Sequence, residues 1–93
     1  MTGATEKHRA LLERALAELR HTLRSDVECA CELERDWANE IIPVPGTCDE
    51  MMADLCERQL NLVRDIQAEI GGFAEHPEPQ WLDDLIDGRW SLT

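Results

Sequence analysis

The segment Ile41-Ile-Pro-Val-Pro-Gly-Thr-Cys-Asp-Glu50 divides this 93-residue chain into its two principal parts. Its two prolines remove backbone donors and disfavour helix at the residue before each, and Gly46 permits a bend. Thr47 followed three residues later by Glu50 is a capping box, which is typical of a helix start. We therefore expect one helix to end before this segment and a second helix to begin within it.

The part before the turn predicts a long helix. It has no Gly or Pro between Glu6 and Glu40. Steps of four and three connect Leu12, Leu16, Leu19, Leu23, Asp26, Ala30, Leu33 and Trp37. This heptad spacing predicts a continuous first helix over about 6–40. Ser25 and Glu28 also form a capping box, so a helix that restarts near Asp26 is the alternative.

The part after the turn predicts two further helices. With the turn at 41–47, the same spacing predicts a second helix over about 48–70, ended by Gly71 and Gly72. A linker over 71–78 then leads to a short helix over about 79–87, with Pro79 at its start and Gly88 after its end.

The fold class that follows is all-α. Two helices joined by a short loop run antiparallel as a hairpin, and the short C-terminal helix completes a single small domain over 1–93. We expect the hairpin to dimerise into a helical bundle. The predicted hairpin or dimer seam consists of Leu12, Leu16, Leu19, Asp26, Met52, Leu55, Gln59, Leu62 and Ile66. Asp26 and Gln59 are polar residues at seam positions, a pattern that fixes register or oligomeric state.

The four cysteines suggest a candidate disulfide more readily than a metal site. Cys31 and Cys56 lie at similar distances from the turn, so a hairpin places them at one height as a candidate pair. The spacings Cys29-x-Cys31 and Cys48-x₇-Cys56 do not match the close pairs of structural zinc sites. We predict no metal and no other cofactor, with small packed thiols as the simplest interpretation.

The charge of the chain and its lack of long apolar runs argue against two classes of partner, nucleic acids and membranes. The chain has 20 acids against nine Lys and Arg, a net charge of −11, and only the first 24 residues have an excess of basic residues. Direct binding to nucleic acid is not expected, because phosphate contacts need a basic surface. No apolar run approaches the roughly 18 residues of a membrane span, and we expect a cytoplasmic protein that does not bind membranes.

The acids near the turn predict a binding face for a basic partner. On the predicted helices they repeat at near-turn spacing as Glu28, Glu32 and Asp36 and as Glu50, Asp54 and Glu57. Nine acids and one base lie between Glu28 and Glu57. Over about 18 Å of hairpin this approaches the charge density of duplex DNA.

The predicted function is therefore a non-enzymatic interaction module or inhibitor that binds a basic protein surface. In its sharpest form it mimics nucleic acid on a nucleic-acid-binding protein, comparable in size and charge to small anti-restriction and anti-CRISPR proteins. No arrangement of His, Ser, Cys and Asp resembles a catalytic set. A cysteine-based metal-binding or redox module and a structural subunit of a larger assembly are the alternatives.

Overall fold

The computed structural model describes residues 2–71 and 78–92. In chain order these residues form α1 (Thr2–Ala30), β1 (Leu33–Arg35), β2 (Ile41–Pro43), α2 (Glu50–Ile70) and α3 (Gln80–Ile86). This part of the chain is mostly helical, but a two-stranded antiparallel sheet lies between α1 and α2. The all-α prediction is therefore wrong in that respect. Most of the predicted linker, residues 72–77, lies outside the described residues.

The first helix ends earlier than its sequence pattern predicts. It passes through Ser25 without a break and stops at Ala30, so the predicted end near residue 40 is wrong. Leu33 and Trp37, which extended the heptad pattern, are 44% and 97% exposed. The heptad spacing therefore continues past the end of the helix, and the side chains of Leu33 and Trp37 do not enter the core.

The residues beyond α1 form a β-hairpin because they carry strand and turn signals. β1 pairs with β2 so that Glu34 lies opposite Ile42 and Arg35 lies opposite Ile41. The β-branched Ile41 and Ile42 favour a strand, and Asn39 adopts φ 66°, a left-handed conformation that Asn tolerates. Residues 36–40 lie at the turn of this hairpin, where residues 37–40 are exposed and Asp36 is half-buried.

The second helix starts without a side-chain cap and ends at a left-handed glycine. It begins at Glu50, but Thr47 does not cap it, because its Oγ1 accepts from the Glu32 N–H (2.9 Å) and donates to the Val44 carbonyl (2.6 Å). At the other end Gly71 has φ 79° and its N–H donates to the Gln67 carbonyl. This left-handed glycine is a common helix end because glycine has no Cβ to clash.

The two long helices form an antiparallel pair with an apolar seam. The side chains of Leu16, Leu23 and Val27 are fully buried in α1, and Cys56 and Val63 are fully buried in α2. Each Leu or Val side chain buried in this way contributes about 1.5–3 kcal/mol relative to exposure. The predicted helical hairpin is thus present, with its core centred on the last two-thirds of α1.

The third helix closes one side of this pair. Its Trp81, Leu82, Leu85 and Ile86 are buried in the same core. Arg64 of α2 donates to the Ile86 carbonyl (2.8 Å) and the Leu85 carbonyl (3.0 Å). A seven-residue helix is not stable alone, so packing and these bonds to its last carbonyls hold it in place.

None of the helices among residues 2–71 and 78–92 is both long enough and apolar enough to cross a membrane.

Candidate functional site

The six acids predicted to bind a partner lie on different elements. Glu28 is on α1 and accepts from Arg24 Nε at 2.7 Å, whereas Glu32 follows the end of that helix. Asp36 lies in the turn of the β-hairpin. The predicted row of acids along one continuous first helix is therefore wrong beyond Ala30, because the chain leaves the helical path there.

The other three acids remain on one helix. Glu50, Asp54 and Glu57 are exposed on the first two turns of α2. Asp54 Oδ2 lies 3.0 Å from Arg58 Nη2, so part of its charge is balanced within the helix. An exposed pair of this kind contributes about 0–1 kcal/mol and leaves the local field negative.

Residues 32–41, which we call the acidic hairpin, form the most distinctive surface of the described chain. They contain Glu32, Glu34, Asp36 and Glu40 and a single base, Arg35. All four acids lie within ten residues that project from the helix pair. Their field is concentrated around the one turn that the sequence pattern had assigned to a helix.

A network of short hydrogen bonds fixes the turn of the acidic hairpin. The Asp36 carboxylate accepts from the N–H of Ala38 (2.9 Å) and of Glu40 (2.8 Å). The Asp36 N–H donates to the Glu40 carbonyl at 2.9 Å, and the Asn39 N–H donates to the Asp36 carbonyl at 3.0 Å. Asp36 thus acts as a brace for the turn, and its carboxylate is less available to a partner than those of its neighbours.

The braced turn presents Trp37 to solvent. This indole is 97% exposed, and the flanking Leu33 and Ile41 are about half exposed. Tryptophan has a large apolar surface and is among the residues most enriched at the energetic centres of protein interfaces. A rigid turn that displays one tryptophan among acids can bind an apolar pocket with a basic rim.

The predicted seam residues divide between core and surface. Leu16 is fully buried, so it cannot contact a second subunit in this conformation. The half-buried members, which lie at the edges of the seam, are Leu12, Leu19, Met52 and Ile66. Leu55 and Leu62 are 43% and 47% exposed. Leu62 lies about 200° around α2 from Arg64, which contacts α3, so it is on the side of α2 that faces away from that helix.

The two polar seam residues contact one another. Gln59 Nε2 donates to Asp26 Oδ2 at 2.7 Å, which joins α1 and α2 near the end where the acidic hairpin is attached. The Gln59 Oε1 atom is buried and has no hydrogen-bond partner among the described residues. The pair therefore fixes the register of the two helices, since a buried polar contact tolerates little sliding.

Three cysteines meet where α1 ends and α2 begins. Cys31 and Cys56 are buried, Cys48 is half-buried and packs against the same core, and all carry free thiols. The candidate disulfide between Cys31 and Cys56 is not formed in this structure. We call these three residues the cysteine joint; Cys29 is exposed on α1 and is not one of its members.

Burial makes two thiols of the cysteine joint weakly acidic. It raises the pKa of Cys31 to about 12, and a side-chain hydrogen bond with Cys48 and the nearby Cys56 add to this shift. Burial also raises the pKa of Cys56 to about 11, with further contributions from Cys48 and Asp26. Both are therefore protonated at neutral pH, and a protonated thiol is a poor nucleophile and a poor metal ligand.

A buried arginine joins all three helices. Arg20 is 1% exposed, and its guanidinium binds Gln67 Oε1 (3.0 Å) on α2 and Asp83 Oδ1 on α3. Its position four residues after Leu16 and three before Leu23 places it on the buried stripe of α1. That spacing was the available signal for a paired, buried charge.

A second ion cluster lies beside it at the start of the C-terminal segment. Glu78 accepts from Arg24 Nη1 at 3.0 Å and lies 3.5 Å from His21 Nδ1. Hydrogen bonds from Arg24 to Glu28 and Glu78 raise the pKa of that guanidinium above its ordinary value. These contacts use several basic side chains of α1 to hold the acidic C-terminal segment.

The described residues contain no group of three or more His, Cys, Asp or Glu side chains arranged to hold a metal ion. Comparisons of the chain with protein-family models, with curated proteins and with solved structures gave no match, so no family relationship contributes to a functional assignment.

Proposed function

We propose that this chain is a non-enzymatic interaction protein that binds a basic protein surface through its acidic hairpin. The observation that carries the proposal is Trp37, which is 97% exposed at a turn held by four hydrogen bonds and surrounded by acids. A solvent-exposed indole contributes nothing to the fold, whereas it contributes strongly to an interface that buries it.

The energetic contribution of this side chain can be bounded from its area. A tryptophan buries about 150–250 Å² in an interface, which at about 25 cal/mol per Å² corresponds to about 4–6 kcal/mol before ordering costs. Because the turn is already braced by Asp36, little backbone entropy is lost on binding. Trp37 is therefore expected to be an energetic centre of the interface.

The surrounding acids determine the kind of partner. Glu32, Glu34 and Glu40 are exposed and lie within three to five residues of Trp37. Their charges attract a surface rich in Lys and Arg, which increases the association rate and makes binding dependent on salt. Nucleic-acid-binding proteins are the sharpest form of this partner class, since their grooves combine basic rims with apolar stacking surfaces.

The two rival functions are less well supported by the geometry. A metal-binding module needs several converging ligands, and the described residues contain no group of three or more His, Cys, Asp or Glu side chains that could hold a metal ion. A structural subunit of a larger assembly would bind through apolar surface such as Leu55 and Leu62 and would be insensitive to the charge of the hairpin.

The proposed homodimer would form through a smaller set of seam residues than the sequence suggested. Leu55 and Leu62 are the most exposed of the described seam residues and therefore the most accessible to a second copy. We expect Leu55→Lys with Leu62→Lys to convert a dimer into a monomer in analytical ultracentrifugation. A wild-type chain that is monomeric at high micromolar concentration would exclude the dimer.

The proposed function is tested with matched substitutions in affinity capture from lysate of the native host, followed by binding measurements on the captured partner. Trp37→Ala should weaken binding by about 30-fold or more, the effect of losing a 2 kcal/mol contact. Met51→Ala is the matched control, because Met51 is 82% exposed but lies outside the acidic hairpin. Equal binding by the two variants would contradict the proposal.

Two sets of charge reversals then separate the hairpin from the helix. The first set changes Glu32, Glu34 and Glu40 to Lys, and the second changes Glu50, Asp54 and Glu57 to Lys. Both sets change the net charge equally, so a general electrostatic effect weakens binding equally in both. We expect the first set to have the larger effect and to reduce the salt dependence of binding. Salt-insensitive binding by the wild-type chain would support the structural-subunit alternative.

A further inference from the structure

The backbone places Cys31 and Cys48 opposite one another at the base of the acidic hairpin. On one side the Asp49 N–H donates to the Ala30 carbonyl at 3.3 Å. On the other side the Glu32 N–H donates to Thr47 Oγ1 at 2.9 Å. The residues before and after Cys31 are thus bonded to the residues after and before Cys48.

The Cys31 and Cys48 side chains are close enough to form a hydrogen bond with each other. Disulfides form over Cα separations of about 4.4–6.8 Å. Both thiols also belong to one packed cluster, since Cys31 is in the core and Cys48 packs against it. Both cysteines also lie outside the bounds of α1 and α2, so neither is held in a helical backbone.

The geometry points to Cys31 and Cys48 as a redox modification site, at which a low-molecular-weight disulfide converts two thiols into one intramolecular disulfide. This pairing differs from Cys31 and Cys56, the candidate pair suggested by the sequence. It does not depend on what the acidic hairpin binds.

The reaction balances as two thiol–disulfide exchanges. The Cys48 thiolate attacks one sulfur of the small disulfide, a mixed disulfide forms at Cys48, and one small thiolate leaves. The Cys31 thiolate then attacks Cys48 Sγ, and the second small thiolate leaves as the Cys31–Cys48 bond forms. The two cysteines lose two protons and two electrons, and the small disulfide is reduced to two thiols.

Accessibility sets the order of these steps. Cys48 is half-buried and can meet an oxidant, whereas Cys31 is 8% exposed and Cys56 is fully buried. The second step is intramolecular, so the short distance compensates for the small thiolate fraction of a buried cysteine. Cys56 lies on α2 within the core, and its helical backbone leaves it less freedom to change partner than the loop residue Cys48 has.

The bond would close the loop that contains the acidic hairpin. It would link the residue after α1 to the residue before Asp49, which is the N-cap of α2. The closed loop would contain about 17 residues, and a crosslink over a loop of this length substantially reduces the conformational entropy of the unfolded chain. We expect the oxidised protein to melt about 5–15 °C higher than the reduced protein.

The test uses the full chain with Cys29→Ser, which removes the exposed thiol and leaves Cys31 alone in its peptide. The protein is treated with excess oxidised glutathione, free thiols are blocked, and the chain is cut before aspartates. Cleavage at Asp49 and Asp54 separates Cys48 from Cys56. The expected result is a loss of two hydrogens and a disulfide between the Cys31 and Cys48 peptides.

A second variant keeps the test independent of that mapping. Cys48→Ser should abolish the intramolecular bond and the gain in melting temperature, whereas Cys29→Ser should retain both. Circular dichroism verifies that each variant is folded. Linkage of Cys31 to Cys56, persistent glutathione adducts without ring closure, or unchanged oxidation of Cys48→Ser would each overturn the assignment.

Discussion

Replacing Arg20 by alanine should destabilise the protein by about 3–5 kcal/mol, which is the usual effect of breaking a buried ion pair. The guanidinium is 1% exposed and connects Gln67 on α2 with Asp83 on α3. Its removal leaves the Asp83 carboxylate next to an apolar core and deletes the packed stem of the arginine. Because the Asp83 side chain is 23% exposed, water can solvate it in part, so we expect a value near the lower limit.

The measurement is urea unfolding at neutral pH, with Arg9→Ala as the control. Arg9 is on the same helix and pairs with Glu13 in an exposed i,i+4 contact of 3.1 Å. Its loss should change stability by less than about 0.5 kcal/mol. Equal, small effects of the two substitutions would refute the conclusion that Arg20 fastens α3 to the helix pair.

Replacing both partners separates charge from packing. Arg20→Met with Asp83→Asn retains most of the volume and removes both charges, so it should recover part of the stability lost in Arg20→Ala. A double variant less stable than Arg20→Ala would show that the ion pair itself supplies more stability than its replacement by apolar packing.

Three further predictions follow from local features. The pKa values of Cys31 and Cys56 are raised in the folded state, so the folded chain holds these two protons more tightly than the unfolded chain does. The free energy of unfolding should therefore be constant below about pH 9 and fall toward pH 11–12, with a loss of about 2–4 kcal/mol at pH 10.5. Urea unfolding across this pH range measures the loss. Asn39→Gly should leave stability within about 0.5 kcal/mol, whereas Asn39→Val should lower it by about 1–2 kcal/mol because φ is 66°, which thermal melts can compare. Gly71→Ala should cost about 1 kcal/mol in the same melts, since φ is 79° although space is open, and an unchanged melting temperature would contradict this reason.

Turn chemistry explains where the sequence analysis succeeded and where it did not. The glycines predicted the ends of the last two helices, and the structure has Gly71 after Ile70 and Gly88 shortly after α3. The end of α1 was missed because heptad spacing continued through Leu33 and Trp37. Asp36, which braces the turn, was interpreted only as a position on a helix face.

The wrong end of α1 also led to wrong expectations for the cysteines and for Trp37. A helix to residue 40 would place the turn at the prolines and Cys31 level with Cys56. In the structure the chains meet instead at Ala30 and Asp49, which brings Cys48 opposite Cys31. The charge of the chain was enough to predict a basic partner. The exposure of Trp37 could not be predicted from composition, because it depends on the residue at which α1 ends.

The base of the acidic hairpin is connected to the far end of the chain. The Gly46 N–H donates to the Leu92 carbonyl at 3.2 Å, and Leu92 is 2% exposed in the core. A contact with so large a sequence separation carries a high loop-closure entropy and forms late when a chain folds. During synthesis, therefore, α1, the hairpin and α2 can form early, but the hairpin acquires this anchor only after Leu92 has left the ribosome.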